Sequence, residues 1–93
     1  MSSSITNPNT NPSVDDVEGY NADQLVTYLQ GKNFGLSEDE INSIRNNVVT
    51  GYNFLKLNDK MLVECRIRIG PRASLVDLID KLNNQSKFYH KIV

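Results

Sequence analysis

The 93-residue sequence holds one cysteine, Cys65, and one histidine, His90. A lone cysteine excludes an internal disulfide and fits a reducing compartment. With one cysteine and one histidine there is no Cys/His ligand cluster, and His90 lies near the end among Lys87, Tyr89 and Lys91, a place that reads as solvent-exposed and not as a triad member. No apolar run approaches the roughly 20 residues needed to span a bilayer. The N-terminus is polar and carries no apolar stretch of a secretory signal. The few glycines are scattered and form no phosphate-cradling loop. Cytosol or nucleus is the expected location. The net charge of −1 supplies no global basic field for nucleic acid.

The charge is unevenly placed. Residues 1–40 hold seven acids and one base, a sum of −6, and residues 41–93 hold four acids and nine bases, a sum of +5. A small protein with an acidic half and a basic half can attract its own copies head to tail; the other reading is a solvated surface with uneven charge.

The first 13 residues, MSSSITNPNTNPS, contain one isoleucine among Ser, Thr, Asn and Pro. They bury too little apolar surface to offset chain entropy, so residues 1–16 read as a disordered leader. A helical pattern follows over 17–87, and residues 88–93 are either a tail or an extension of the last helix. Where the sequence stops, nothing marks a natural end, so a fragment of a larger protein is one reading.

Asn21 with Gln24, and Ser37 with Glu40, have the spacing of capping boxes. Leu25, Tyr28 and Leu29 follow the first cap at helical spacing, and Ile41, Ile44 and Val48 follow the second. Phe54, Leu55 and Leu57 suggest a very short helix. Asn58 caps the next one, with Met61, Leu62 and Cys65 as its inner face. Pro71 suits the first turn of a last and longest helix, striped by Leu75, Leu78, Ile79 and Leu82. Gly51 implies either a positive φ or a tight backbone approach. Strand signals are confined to Val48-Val49 and Ile67-Arg68-Ile69, too short for a sheet. The prediction is an all-α fold, a compact five-helix orthogonal bundle.

The order of these pieces resembles the sterile alpha motif (SAM) domain family over about residues 17–85. Tyr20, Asn21, Leu25, Tyr28 and Leu29 match its opening pattern, with tyrosines where tryptophan is common. Val49-Thr50-Gly51-Tyr52-Asn53-Phe54-Leu55-Lys56-Leu57 matches its middle signature, and Asn58-Asp59-Lys60-Met61-Leu62 the capped turn after it. Gly70-Pro71-Arg72 matches the opening of its last helix. Arg66 stands before Ile67 where the family often has glycine.

The resemblance implies a non-enzymatic protein–protein interaction module that joins SAM domains, its own copies included, in a scaffold, signalling or regulatory role. It implies an end-helix face at Arg66, Arg68, Gly70, Pro71 and Arg72, and a mid-loop face at Tyr52, Asn53, Asp59 and Glu64. Three arginines within seven residues make a concentrated positive patch, since each guanidinium pairs carboxylates through two bonds. The alternative is an RNA-hairpin binder using Arg66, Arg68, Arg72 and Lys56. No cofactor, metal, membrane or small-molecule substrate is implied. Cys65 reads as a core residue, and the acids of residues 37–40 as helix caps.

Overall fold

Three serine or asparagine side chains close reciprocal boxes at helix starts, and the rest of the fold is hung between them. The computed structural model describes residues 12–48 and 50–92, from residue 85 onward by backbone alone. Among these residues six helices occur and no strand: α1 (Val14–Glu18), α2 (Ala22–Gln30), α3 (Glu38–Asn47), α4 (Gly51–Phe54), α5 (Asp59–Glu64) and α6 (Ile69–Ile92). The all-α expectation holds. The five expected helices are α2 to α6, α6 being the longest at 24 residues, and α1 is an addition.

α1 shifts the start of ordered structure. Ser13 Oγ accepts the Asp16 N–H at 3.3 Å, and Asp16 accepts the Ser13 N–H at 3.0 Å. Residues 13–16, assigned above to the leader, therefore form a capped turn, and Val17 is fully buried. Residues 1–11 of that leader lie outside the described residues. At the other end α6 runs on to Ile92.

α2 and α3 begin as their sequences predict. Asn21 and Gln24 exchange bonds of 2.8 and 3.0 Å, and Ser37 and Glu40 exchange bonds of 3.2 and 2.8 Å. Between these helices Asn33 and Gly35 adopt left-handed conformations, φ 59° and 80°. They turn the chain so that α3 packs back on α2. Thr50 and Asn58 cap α4 and α5 through single side-chain bonds of 3.3 and 2.9 Å.

Gly51 is fixed by a close approach. Its N–H donates to the Tyr20 carbonyl at 2.9 Å, and a Cβ there would collide with the Val17 carbonyl. Only a residue without a side chain lets α4 start against the end of α1.

Leu25, Leu29, Ile44, Phe54, Leu62 and Leu75 are the centre of the core, each at most 1% exposed, and Ile79 and Leu82 extend it along α6. α6 packs against α5 near its start and against α1 further on. Of the expected inward-facing positions, Tyr28, Leu55, Leu57 and Cys65 are only partly buried against the core. Leu78 is only half-buried at the core's edge. Met61 is exposed, because one turn of α5 can bury one residue fully and that residue is Leu62.

Candidate functional site

The α5–α6 corner is built by a residue in an uncommon conformation. After α5 ends at Glu64, Arg66 takes φ 64°, and its N–H donates to the Val63 carbonyl at 2.9 Å. This left-handed turn lets the Ile67 N–H reach the Leu62 carbonyl at 3.2 Å and sends the Ile67 side chain into the core. The left-handed region costs a residue with a Cβ roughly 1–2 kcal/mol. The corner thus holds a strained arginine where glycine would sit freely.

The three arginines of the expected patch have separate fates. The Arg68 N–H and Nε donate to Glu40 Oε2 at 2.7 and 3.1 Å, and its Nη2 donates to Glu40 Oε1 at 2.9 Å and to the Gly35 carbonyl at 2.6 Å. Arg72 Nε donates to Asp59 Oδ1 at 2.8 Å and Nη1 to the Ile67 carbonyl at 3.0 Å. Both are braces that tie the start of α6 to α3 and to α5. Two of the three guanidiniums are therefore held by carboxylates of their own chain, Arg68 while remaining 62% exposed, and one is unpaired. Arg66 is exposed and has no ion-pair or side-chain hydrogen-bond partner among the described residues. Of the other two residues assigned to this face, Gly70 is exposed with open space around it, and Pro71 is buried. Its ring lies in the first turn of α6, where proline is tolerated because no backbone donor is needed.

The four residues assigned to the opposite face are spread over two helices, and one of its two acids is already paired. Tyr52 and Asn53 lie on α4, and Asp59 and Glu64 on α5. Asp59 is bound to Arg72, so it belongs to the α6 side. The Asn53 side-chain amide donates to the Val48 carbonyl at 3.1 Å and closes the end of α3. Tyr52 is half exposed, with the Lys56 ammonium 4.6 Å from its ring centroid. Glu64 is exposed beside the corner.

Glu40 is a residue that the capping argument alone does not explain. It is 5% exposed, and it satisfies the Ser37 N–H and three donors of Arg68 at once. The hydrogen bonds from Arg68 hold its carboxyl down to about 2, against the opposing pull of burial. One sequence signal points to it. Glu40 is four residues before Ile44, on the stripe α3 turns inward. Arg68, 28 residues away, has no such signal.

The apolar surface at the corner is also absent from the pattern. Ile69, first residue of α6, is 75% exposed, and Val63 on α5 is 49% exposed. An exposed guanidinium beside an exposed branched aliphatic side chain is suited to an acidic protein surface with an apolar centre. Reactive chemistry has less support. Burial raises the Cys65 thiol above its ordinary value, which keeps it protonated. No group of three His, Cys, Asp or Glu side chains among the described residues could hold a metal ion. A hollow of about 560 Å³ between α2 and α3 opens to solvent and is lined in part by Asn33, Phe34, Glu38 and Arg45. No helix among the described residues is long and apolar enough to cross a membrane.

A family model described as a SAM-like domain matches residues 1–81. No curated protein and no solved structure gives a significant match. With that match spanning most of the chain and the all-helical fold agreeing, the protein belongs to the SAM-like domain family, a family of protein-interaction modules that are typically non-catalytic.

Proposed function

We propose that this domain associates with another SAM-like domain through the α5–α6 corner, as a scaffold or adaptor element in the cytosol or nucleus. Arg66 carries the reading. Its backbone is held at φ 64° and its guanidinium has no partner among the described residues. A strained residue whose side chain supports nothing inside its own fold is a candidate for work on another molecule. Ile69 adds apolar area beside it. The fitting partner presents carboxylates around an apolar centre.

An RNA-hairpin reading has weaker support. Phosphate binding sums many cationic contacts, and two of the four basic residues it requires are already bound to carboxylates.

The test is sedimentation velocity of the chain alone and mixed with SAM-like domains that bear acidic surfaces. At least one complex is expected, weakening as salt screens the charges and lost in Arg66→Glu. Complexes indifferent to Arg66→Glu, or no complex with any such domain, would contradict the reading.

A further inference from the structure

Two residues whose spacing predicts an inward position, Tyr28 on α2 and Leu78 on α6, are only half-buried, and both line one hollow. It measures about 340 Å³ and lies between the end of α2 and the middle of α6. Phe34 and Leu78 line it with carbon, and Lys32 and Lys81 line it with positive charge. A large apolar side chain that its own core covers only in part keeps area to bury against another molecule.

The charge in the hollow is specific to it. Lys32 is the single base among residues 1–40, and it has no carboxylate partner among the described residues. Its ammonium lies 5.1 Å from the centroid of the Tyr28 ring, and Tyr20 packs edge-on against that ring at 5.6 Å. The Tyr28 ring is therefore already in use, and its contribution is to hold the Lys32 charge beside the hollow. Lys81 pairs with Asp77 of its own helix at 3.2 Å, the two side chains being 72% and 66% exposed. A pair so exposed is worth about 0–1 kcal/mol, so Lys81 exchanges readily to an incoming carboxylate. Two ammonium groups against the one carboxylate of Asp77 leave the hollow net positive.

We infer that the α2–α6 hollow is a second binding face, and that it takes an acidic peptide carrying a bulky apolar side chain. The side chain lies against Phe34 and Leu78, and carboxylates before and after it meet Lys32 and Lys81. Charge complementarity selects the acidic partner. Shape selects a peptide, because the hollow opens to solvent, whereas small-molecule sites bury about 70–90% of their ligand. Neither Arg66 nor Ile69 lines the hollow. The contact is thus separate from the α5–α6 corner and stands whether or not the corner binds another SAM-like domain. A chain with both faces joins two different partners.

The probe is the synthetic peptide Glu-Glu-Phe-Glu-Glu, with Glu-Glu-Ala-Glu-Glu and Lys-Lys-Phe-Lys-Lys as controls. Each is titrated into the full chain and followed by amide NMR shifts, with the folding of every variant checked by circular dichroism. The acidic phenylalanine peptide is expected to bind and to shift amides around Phe34 and Leu78. The alanine control is expected to bind roughly tenfold more weakly, the loss for about half of a buried phenylalanine, and the lysine control not to bind. Lys32→Glu is expected to weaken binding at least about two- to fivefold, the size of an exposed ion pair. Asp77→Asn is expected to strengthen it by about the same factor, since it frees Lys81 and removes the one acid. Opposite signs at these two positions are not what a merely structural role would give. Arg66→Glu is expected to change nothing. Equal binding of the phenylalanine and alanine peptides would overturn the apolar seat. Binding indifferent to Lys32→Glu and Asp77→Asn would overturn the hollow as the site, and so would binding lost in Arg66→Glu, which would move the peptide to the corner. A chain that binds none of the three peptides would overturn the acidic peptide as occupant. So would self-association abolished by Lys32→Glu, which would give the hollow to a second copy.

Discussion

At residue scale, Arg66 and Glu40 make opposite predictions about stability. Arg66 pays for its left-handed backbone without an internal contact in return. Arg66→Gly removes roughly 1–2 kcal/mol of strain and adds roughly 0.5–1 kcal/mol of chain entropy to the unfolded state. The variant is expected to be more stable by about 0.5–1 kcal/mol in urea denaturation. A stability below wild type would mean that the arginine side chain supports the fold. Glu40 works in the other direction. Its folded value of about 2 lies below the ordinary 4.5, so the folded state resists protonation there. The stability it contributes is fully present above about pH 4.5 and is lost as pH falls toward 2. Because its partner Arg68 is 62% exposed, solvent screening reduces the effect to about 2 kcal/mol. Glu40→Gln should lower stability by that amount at neutral pH and flatten the acid limb of a stability–pH curve. An unchanged acid limb would remove Glu40 from the account.

Element scale shows which parts of this fold are legible in the sequence. The caps at Asn21 and Ser37 are local: donor and acceptor are three residues apart, so spacing alone finds them. The stripes of α2, α3 and α6 are equally local. The α1 helix escapes because five residues with two apolar positions fall below the length at which a helical period registers. The site is harder to read than the fold. Arg68 and Glu40 are 28 residues apart and Arg72 and Asp59 are 13 apart. Such pairings depend on how finished helices pack, and a run of arginines in sequence looks the same whether its members are free or bound. Gly51 belongs to this scale too, since it joins α1 to α4. Gly51→Ala would drive a methyl group into the Val17 carbonyl, at a cost of about 1–3 kcal/mol as an overpacked contact. Its thermal midpoint should fall clearly below wild type. An unchanged midpoint would mean that α1 can move off α4 at no cost.

For the whole molecule, the separation of surfaces along α6 matters most. The helix begins just after the Arg66 corner, and further along its Asn83 lines a hollow beside α1. Bracing by Arg68 and Arg72 ties the corner's backbone to α3 and α5, so the ordering left to be done on binding falls on the exposed Arg66 side chain. Association driven by exposed charge of this kind weakens with salt. The most direct test is sedimentation velocity of Arg66→Gly beside wild type across a wide concentration range. This substitution removes the guanidinium while easing the backbone, so misfolding cannot explain a lost interaction. The prediction is that the wild-type chain forms a complex, with its own copies or with an added SAM-like domain of acidic surface, and that the folded Arg66→Gly chain does not. Superimposable association curves for the two proteins would contradict it.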